Sequence, residues 1–174
     1  MSTLFALPEA AKAHPAQYST QLLLTMARYL RGCTAVLDPF GGKGGVFALA
    51  AWLHGVRFEA VEIEPEWAAA DSRITLGNAL HLPWPAGEFD GICTSPTYGN
   101  RMADHHEATD DSKRLTYRHK LARPLHTDNS GALQWGPKYR DFHQRAWTEA
   151  ARVLKTGGVF VLNCKDHVRA GVVQ

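Results

Sequence analysis

Asp38-Pro39-Phe40-Gly41-Gly42-Lys43-Gly44-Gly45 follows the apolar run Ala35-Val36-Leu37 and leads into another apolar stretch that begins at Val46. A strand that passes into a helix through four glycines brings bare backbone, and a helix start, close to a ligand, because a Cβ at those points would obstruct it. Spacing removes two ligands. A dinucleotide fingerprint begun at Gly42 needs glycine or alanine where Phe47 stands, and a phosphate-binding P-loop needs Ser or Thr where Gly44 follows Lys43.

Outward from this turn, strand-length apolar runs alternate with helical patterns, which predicts an α/β fold with a parallel sheet. Ser19 can cap a first helix with apolar positions Leu22, Leu23, Met26, Ala27 and Leu30, stopped by Gly32. Strands are expected over Ala35 to Phe40, Arg57 to Ile63, Ile74 to Leu76, Phe89 to Thr94 and Val159 to Cys164. Helices are expected over Gly45 to His54, Glu66 to Ser72 and Tyr139 to Leu154. Leu82 to Gly87 reads as a loop, and Tyr98 to about Gly136, polar and aperiodic, as a long excursion of the kind that usually carries function.

The 174 residues, 45% hydrophobic and 21% charged, suit one domain spanning 1–174, with a substrate-binding excursion at 99–138. A formal charge of +2 neither demands nor forbids a polyanionic partner. Three well-separated cysteines read as reduced, mostly buried thiols. No apolar run reaches the ~20 residues of a membrane span and the start lacks a leader pattern, so the expectation is a soluble cytoplasmic protein with no membrane partner.

Asp-Pro-Phe-x-Gly-x-Gly resembles motif I of the class I S-adenosylmethionine-dependent methyltransferases, in particular the amino-methylating DNA methyltransferases. The resemblance implies S-adenosylmethionine as cofactor and a Rossmann-like sheet with flanking helices, here stopping after its fifth strand. Val61-Glu62-Ile63-Glu64-Pro65 is similar to motif II, which implies that Glu62 takes the ribose hydroxyls and Ile63 lies against the adenine. Gly77-Asn78-Ala79-Leu80 matches the third motif, with Asn78 in place of the acid; its amide oxygen can still accept from the adenine amine. His14 to Ser19 resembles motif X, which lines the methionine end. The implied cofactor set is therefore Tyr18, Ser19, Asp38, Pro39, Phe40, Gly42, Gly44, Glu62, Ile63, Asn78 and Ala79.

Thr94-Ser95-Pro96-Thr97-Tyr98 resembles motif IV, Asp/Asn/Ser-Pro-Pro-Tyr. An exocyclic base amine is a poor nucleophile because its lone pair is delocalised into the ring, so it must be held towards the methyl and encouraged to become tetrahedral. The resemblance assigns catalysis to Ser95 (Oγ as acceptor), Pro96 (backbone carbonyl as acceptor) and Tyr98 (stacking on a flipped base). Serine in first place favours N4 of cytosine over N6 of adenine. Thr97 replaces the usual second proline and predicts a looser turn.

Beyond it, Asn100, Arg101, Lys113, Arg114 and Arg118 are expected to bind substrate, in a basic stretch with Tyr117 that suits phosphates and bases. The nine histidines lack metal-ligand spacing, so no metal is expected. Trp135, Tyr139, Phe142 and Trp147 read as packing residues. The reading is a DNA amino methyltransferase, with an RNA or protein-amide methyltransferase or a catalytically weak binding module as alternatives. A homodimer through the exposed fifth strand is a further expectation.

Overall fold

The computed structural model describes residues 18–98, 117 and 121–164, together with the backbone of 168–169 and 172–173. Helix α1 (Thr20–Tyr29) starts where expected, because Ser19 Oγ accepts from Leu22 N at 3.2 Å; it buries Leu23, Met26 and Ala27 on one face. Strands β1 (Ala35–Asp38), β2 (Arg57–Glu62), β3 (Ile74–Leu76), β4 (Phe89–Thr94) and β5 (Leu154–Leu162) form one parallel sheet in the order β3-β2-β1-β4-β5. This is the parallel α/β architecture the alternating pattern predicts, in the Rossmann-like form that the resemblance implies. Helix α2 (Pro65–Ala68) follows β2, and α3 (Pro137–Val153) precedes β5.

Period-2 alternation divides the core between the two faces of the sheet. Val36, Phe58, Ala60 and Cys93 pack with α1, whereas Ala35, Leu37, Val61, Phe89 and Ile92 pack with Leu82 and Val153. Asp90 sets the β1–β4 register from below: its Oδ1 accepts from Thr34 N and Ala35 N at 2.9 and 2.8 Å. At the other end the same register brings Thr94 beside Asp38, and Thr94 Oγ1 donates to Asp38 Oδ1 at 2.6 Å.

Two expectations need correction. Gly45 to His54 does not form an α-helix; Gly45–Ala51 is a 3-10 helix, reached through Gly44 at φ 81° with no capping side chain. Its i→i+3 bonds run from Phe47 N to Gly44 O and from Trp52 N to Leu49 O. The turn therefore offers a ligand bare backbone rather than the N-terminus of a long helix.

β5 begins at Leu154, not Val159, because Leu154 pairs with Phe89 before Gly91 takes up Val159; the turn at Gly157 (φ 79°) bulges out between them. Cys33 and Cys93 are buried but Cys164 is exposed. Val168–Arg169 and Val172–Val173, β6 and β7, form a separate antiparallel ribbon, and β5 is an edge of the five-stranded sheet. No helix among the described residues is long and apolar enough to cross a membrane.

Candidate functional site

The carboxyl ends of β1, β2, β4 and β5 meet at one edge of the sheet, where its strand order reverses between β1 and β4. A cavity of about 420 Å³ opens there, a size typical of small-molecule sites. It is lined by Tyr18, Pro39, Phe40, Gly42, Glu62, Ile63, Asn78 and Ala79 from the expected cofactor set, and by Ser95, Pro96 and Tyr98 from the expected catalytic turn.

The other three expected cofactor residues are not part of the lining. Ser19 caps α1. Gly44 supplies the left-handed bend, where a Cβ would lie 2.4 Å from the Phe47 ring. Asp38 is buried and accepts from Thr94 Oγ1 and Phe40 N, tying the glycine turn to β4; burial pushes its pKa up to about 6. Asn100, Arg101, Lys113, Arg114 and Arg118 lie outside the described residues, as do His14 to Gln17.

Close backbone approach sets the cavity floor. Gly41 N donates to Val61 O at 2.8 Å, and a Cβ on Gly41 would fall 2.6 Å from the Ala60 Cβ. Tyr18 rests over Gly45, whose own Cβ would lie 3.3 Å from that ring; burial, then Asp38, raises the Tyr18 pKa. Glu62 is fixed in plane: its Oε2 accepts from Gly42 N at 2.8 Å and its Oε1 from Glu64 N at 2.9 Å. Burial nevertheless raises its pKa to about 7. Ile63, Trp67 and Tyr117 provide apolar wall, with Trp67 and Tyr117 edge to face at 4.7 Å. Tyr117 is thus part of this cavity, not of an outer basic surface.

Asn78 lines the cavity and already engages its amide in two contacts. Its Oδ1 accepts from Leu80 N at 2.9 Å within its own turn, leaving Nδ2 directed at Asp128 Oδ2, 3.4 Å away.

At the opposite end, Ser95 and Tyr98 form a polar cluster with Asn163, a residue that sequence reasoning missed. Ser95 Oγ and Tyr98 Oη are 2.8 Å apart, Asn163 Nδ2 donates to both at 3.2 Å, and Tyr98 Oη donates to Asn163 O at 3.2 Å. With the tyrosine proton on that carbonyl, the serine proton goes to Tyr98 Oη. Ser95 Oγ then keeps one lone pair after accepting from Asn163. The signal in the sequence was an asparagine closing the apolar run Val159 to Leu162, and Asn163 N donating to Thr94 O places it beside the turn Ser95 to Tyr98.

Thr97 does not leave its turn loose. Thr97 Oγ1 bonds Ser130 Oγ at 2.7 Å, and Tyr139 Oη donates to Thr97 O at 2.7 Å. Two hydrogen bonds from the end of the excursion do here what a proline ring would do. Ser130→Ala is expected to lower unfolding stability by ~1 kcal/mol, read from the midpoint of urea denaturation. An unchanged midpoint would remove this role from the contact. Of the expected packing aromatics, Phe142 also lines the cavity, while Trp147 and His143 pack against Phe40. Trp135 is exposed beside Tyr139.

No protein-family model and no curated protein matches the chain. Among solved structures it is similar to the YcgJ protein from Bacillus subtilis, with 22% identity over 80% of this chain and 48% of that one and a TM-score of 0.48. It is similar to a candidate sarcosine dimethylglycine methyltransferase from Galdieria sulphuraria, with 20% identity, 76% and 40% coverage and a TM-score of 0.41. A candidate type II methyltransferase from Anaeromyxobacter dehalogenans gives 15% identity, 90% and 53% coverage and a TM-score of 0.49. The chain spans about half the length of these structures.

Proposed function

We propose that this chain is an S-adenosylmethionine-dependent methyltransferase that modifies an exocyclic amine of a nucleic-acid base, with N4 of cytosine in DNA as the favoured target. One observation carries the reading: the glycine-turn residues with Glu62 and the turn Ser95 to Tyr98 line a single cavity. Cofactor and acceptor would thus share one space.

The residues present fit the cofactor. The Gly41–Gly42 backbone forms a floor that a Cβ would fill, Glu62 offers a carboxylate to hydroxyl donors, and Ile63, Trp67 and Tyr117 offer apolar wall to a flat ring. When bound, S-adenosylmethionine supplies an electrophilic methyl group on a sulfonium sulfur.

The chain's own part is to hold and orient the acceptor. The free lone pair of Ser95 Oγ and the Pro96 carbonyl accept the two amine hydrogens, drawing the nitrogen lone pair out of conjugation. Asn163 keeps the Ser95 proton turned towards Tyr98, so that Ser95 faces the amine as an acceptor. Tyr98 and Phe142 give the base apolar surface to stack on. The excess proton leaves to solvent after transfer. Asn100, Arg101, Lys113, Arg114 and Arg118 serve the phosphates of the strand.

The test is incubation with labelled S-adenosylmethionine and unmodified DNA or RNA, followed by nucleoside mass spectrometry. N4-methylcytosine in DNA is the expected product. Label in RNA alone, or in protein alone, would overturn DNA as substrate; no transfer at all with cofactor binding intact would overturn the catalytic reading.

A further inference from the structure

Asn78 occupies the place of an acid in the resembled motif, and its amide oxygen already accepts from Leu80 N. It also offers the cavity a donor, Nδ2, and that donor points at Asp128. Asp128 lines the same cavity as Glu62, Ile63, Gly77 and Ala79, although it comes from the far side of the excursion, 50 residues on in sequence.

Its position is fixed from both sides. His126 N and Asn129 Nδ2 donate to Glu64 Oε1 at 2.8 and 2.7 Å, and Asp128 N donates to His126 Nδ1 at 3.1 Å. Glu64 is fully buried two residues after Glu62, so the loop bearing Asp128 is bolted to the strand end that carries the ribose acceptor. Arg123 pairs with Glu64 at 2.8 Å and also with Glu66, which closes the junction from outside. The Asp128 carboxylate itself is exposed at the cavity mouth, with lone pairs to spare.

We infer that Asp128 is the residue that reads the exocyclic amine of the cofactor's adenine, with Asn78 beside it as the matching donor. The inference rests on the S-adenosylmethionine reading. A carboxylate acceptor next to an amide donor complements adenine, which presents an amine donor next to a ring-nitrogen acceptor. Hypoxanthine presents the reverse pattern, a carbonyl oxygen next to a ring N–H, and would set its oxygen against the carboxylate. Specificity for the base would thus come from the excursion rather than from the strand end, and the segment that leads to the substrate would also complete the cofactor site.

Titration calorimetry with S-adenosylhomocysteine and S-inosylhomocysteine tests this without any turnover. The wild-type protein is expected to prefer the adenosyl compound by at least ~10-fold, as sites built around a hydrogen bond do. Asp128→Ala, at an exposed position, is expected to fold with an unchanged melting temperature and to reduce that preference to within about threefold. Retention of the full preference in Asp128→Ala would overturn the inference, and so would equal binding of the two compounds by the wild type; both leave the cofactor reading standing. If the wild type bound neither compound, the cofactor reading would fall and this inference with it.

Discussion

Ser95→Ala is expected to lower kcat by about 10²-fold while leaving affinity for S-adenosylhomocysteine within twofold. The serine hydroxyl lies at the acceptor end of the cavity, away from Glu62 and Asn78, so its loss should act on transfer and not on cofactor capture. Alanine removes the lone pair meant for the amine hydrogen without adding bulk, and Asn163 Nδ2 still has Tyr98 Oη as a partner. Asn163→Ala should give a smaller fall, ~10-fold, because Ser95 remains but loses the donor that orients it. Full activity in Ser95→Ala would remove the assignment of this turn. Equal losses in cofactor affinity and kcat would instead point to collapse of the cavity edge.

The strands were legible wherever an apolar run was bounded by breakers. β4 matches its expected limits at both ends because Gly87 precedes it and Pro96 follows it closely. β5 was misjudged at its start because Gly157-Gly158 reads as a turn; it is one, but the chain already pairs with β4 before it. The segment after the glycine turn shows the limit of periodicity. Val46, Phe47, Ala48 and Leu49 are all buried, so no polar face distinguishes a 3-10 winding from an α-helix.

The site divides in the same way. Residues carried by strand ends, such as Glu62, Ser95 and the glycines, were singled out through the motifs they resemble, and the sheet brings them to one cavity. Those that depend on distant segments meeting were not. Nothing near Glu64 in sequence announces that His126 and Asn129 will bond to it, and nothing near Asn78 announces Asp128. The same gap hid the reinforcement of Thr97, whose missing proline is offset by Ser130 and Tyr139 at the far end of the excursion.

Cofactor affinity is expected to fall about 30-fold between pH 8 and pH 5.5, and Glu62 is the reason. Burial raises its pKa to about 7, against the opposing pull of the backbone donors Glu64 N and Gly42 N. Ribose hydroxyls donate best to a charged carboxylate, so binding selects the ionised form and releases the proton. Below pH 7 the drop should therefore steepen, from about fivefold over the first unit towards tenfold per unit.

The sign for stability is opposite. A carboxyl whose pKa rises on folding stabilises the free protein fully below its ordinary value of 4.5 and loses that contribution as pH climbs through about 7. The increase in melting temperature that S-adenosylhomocysteine produces should consequently grow across the same window. Asp38, raised to about 6, also titrates there, but it is held by Thr94 and Phe40 behind the cavity wall, so its protonation acts on the free and loaded protein alike.

Glu62→Gln separates the two groups. It cannot accept from both Gly42 N and Glu64 N on two oxygens, so it should bind about 10²-fold more weakly at pH 8 and with a flat pH profile. A wild-type profile that is itself flat from pH 5.5 to 8, or a Glu62→Gln profile that keeps the slope, would take the ribose contact away from this residue.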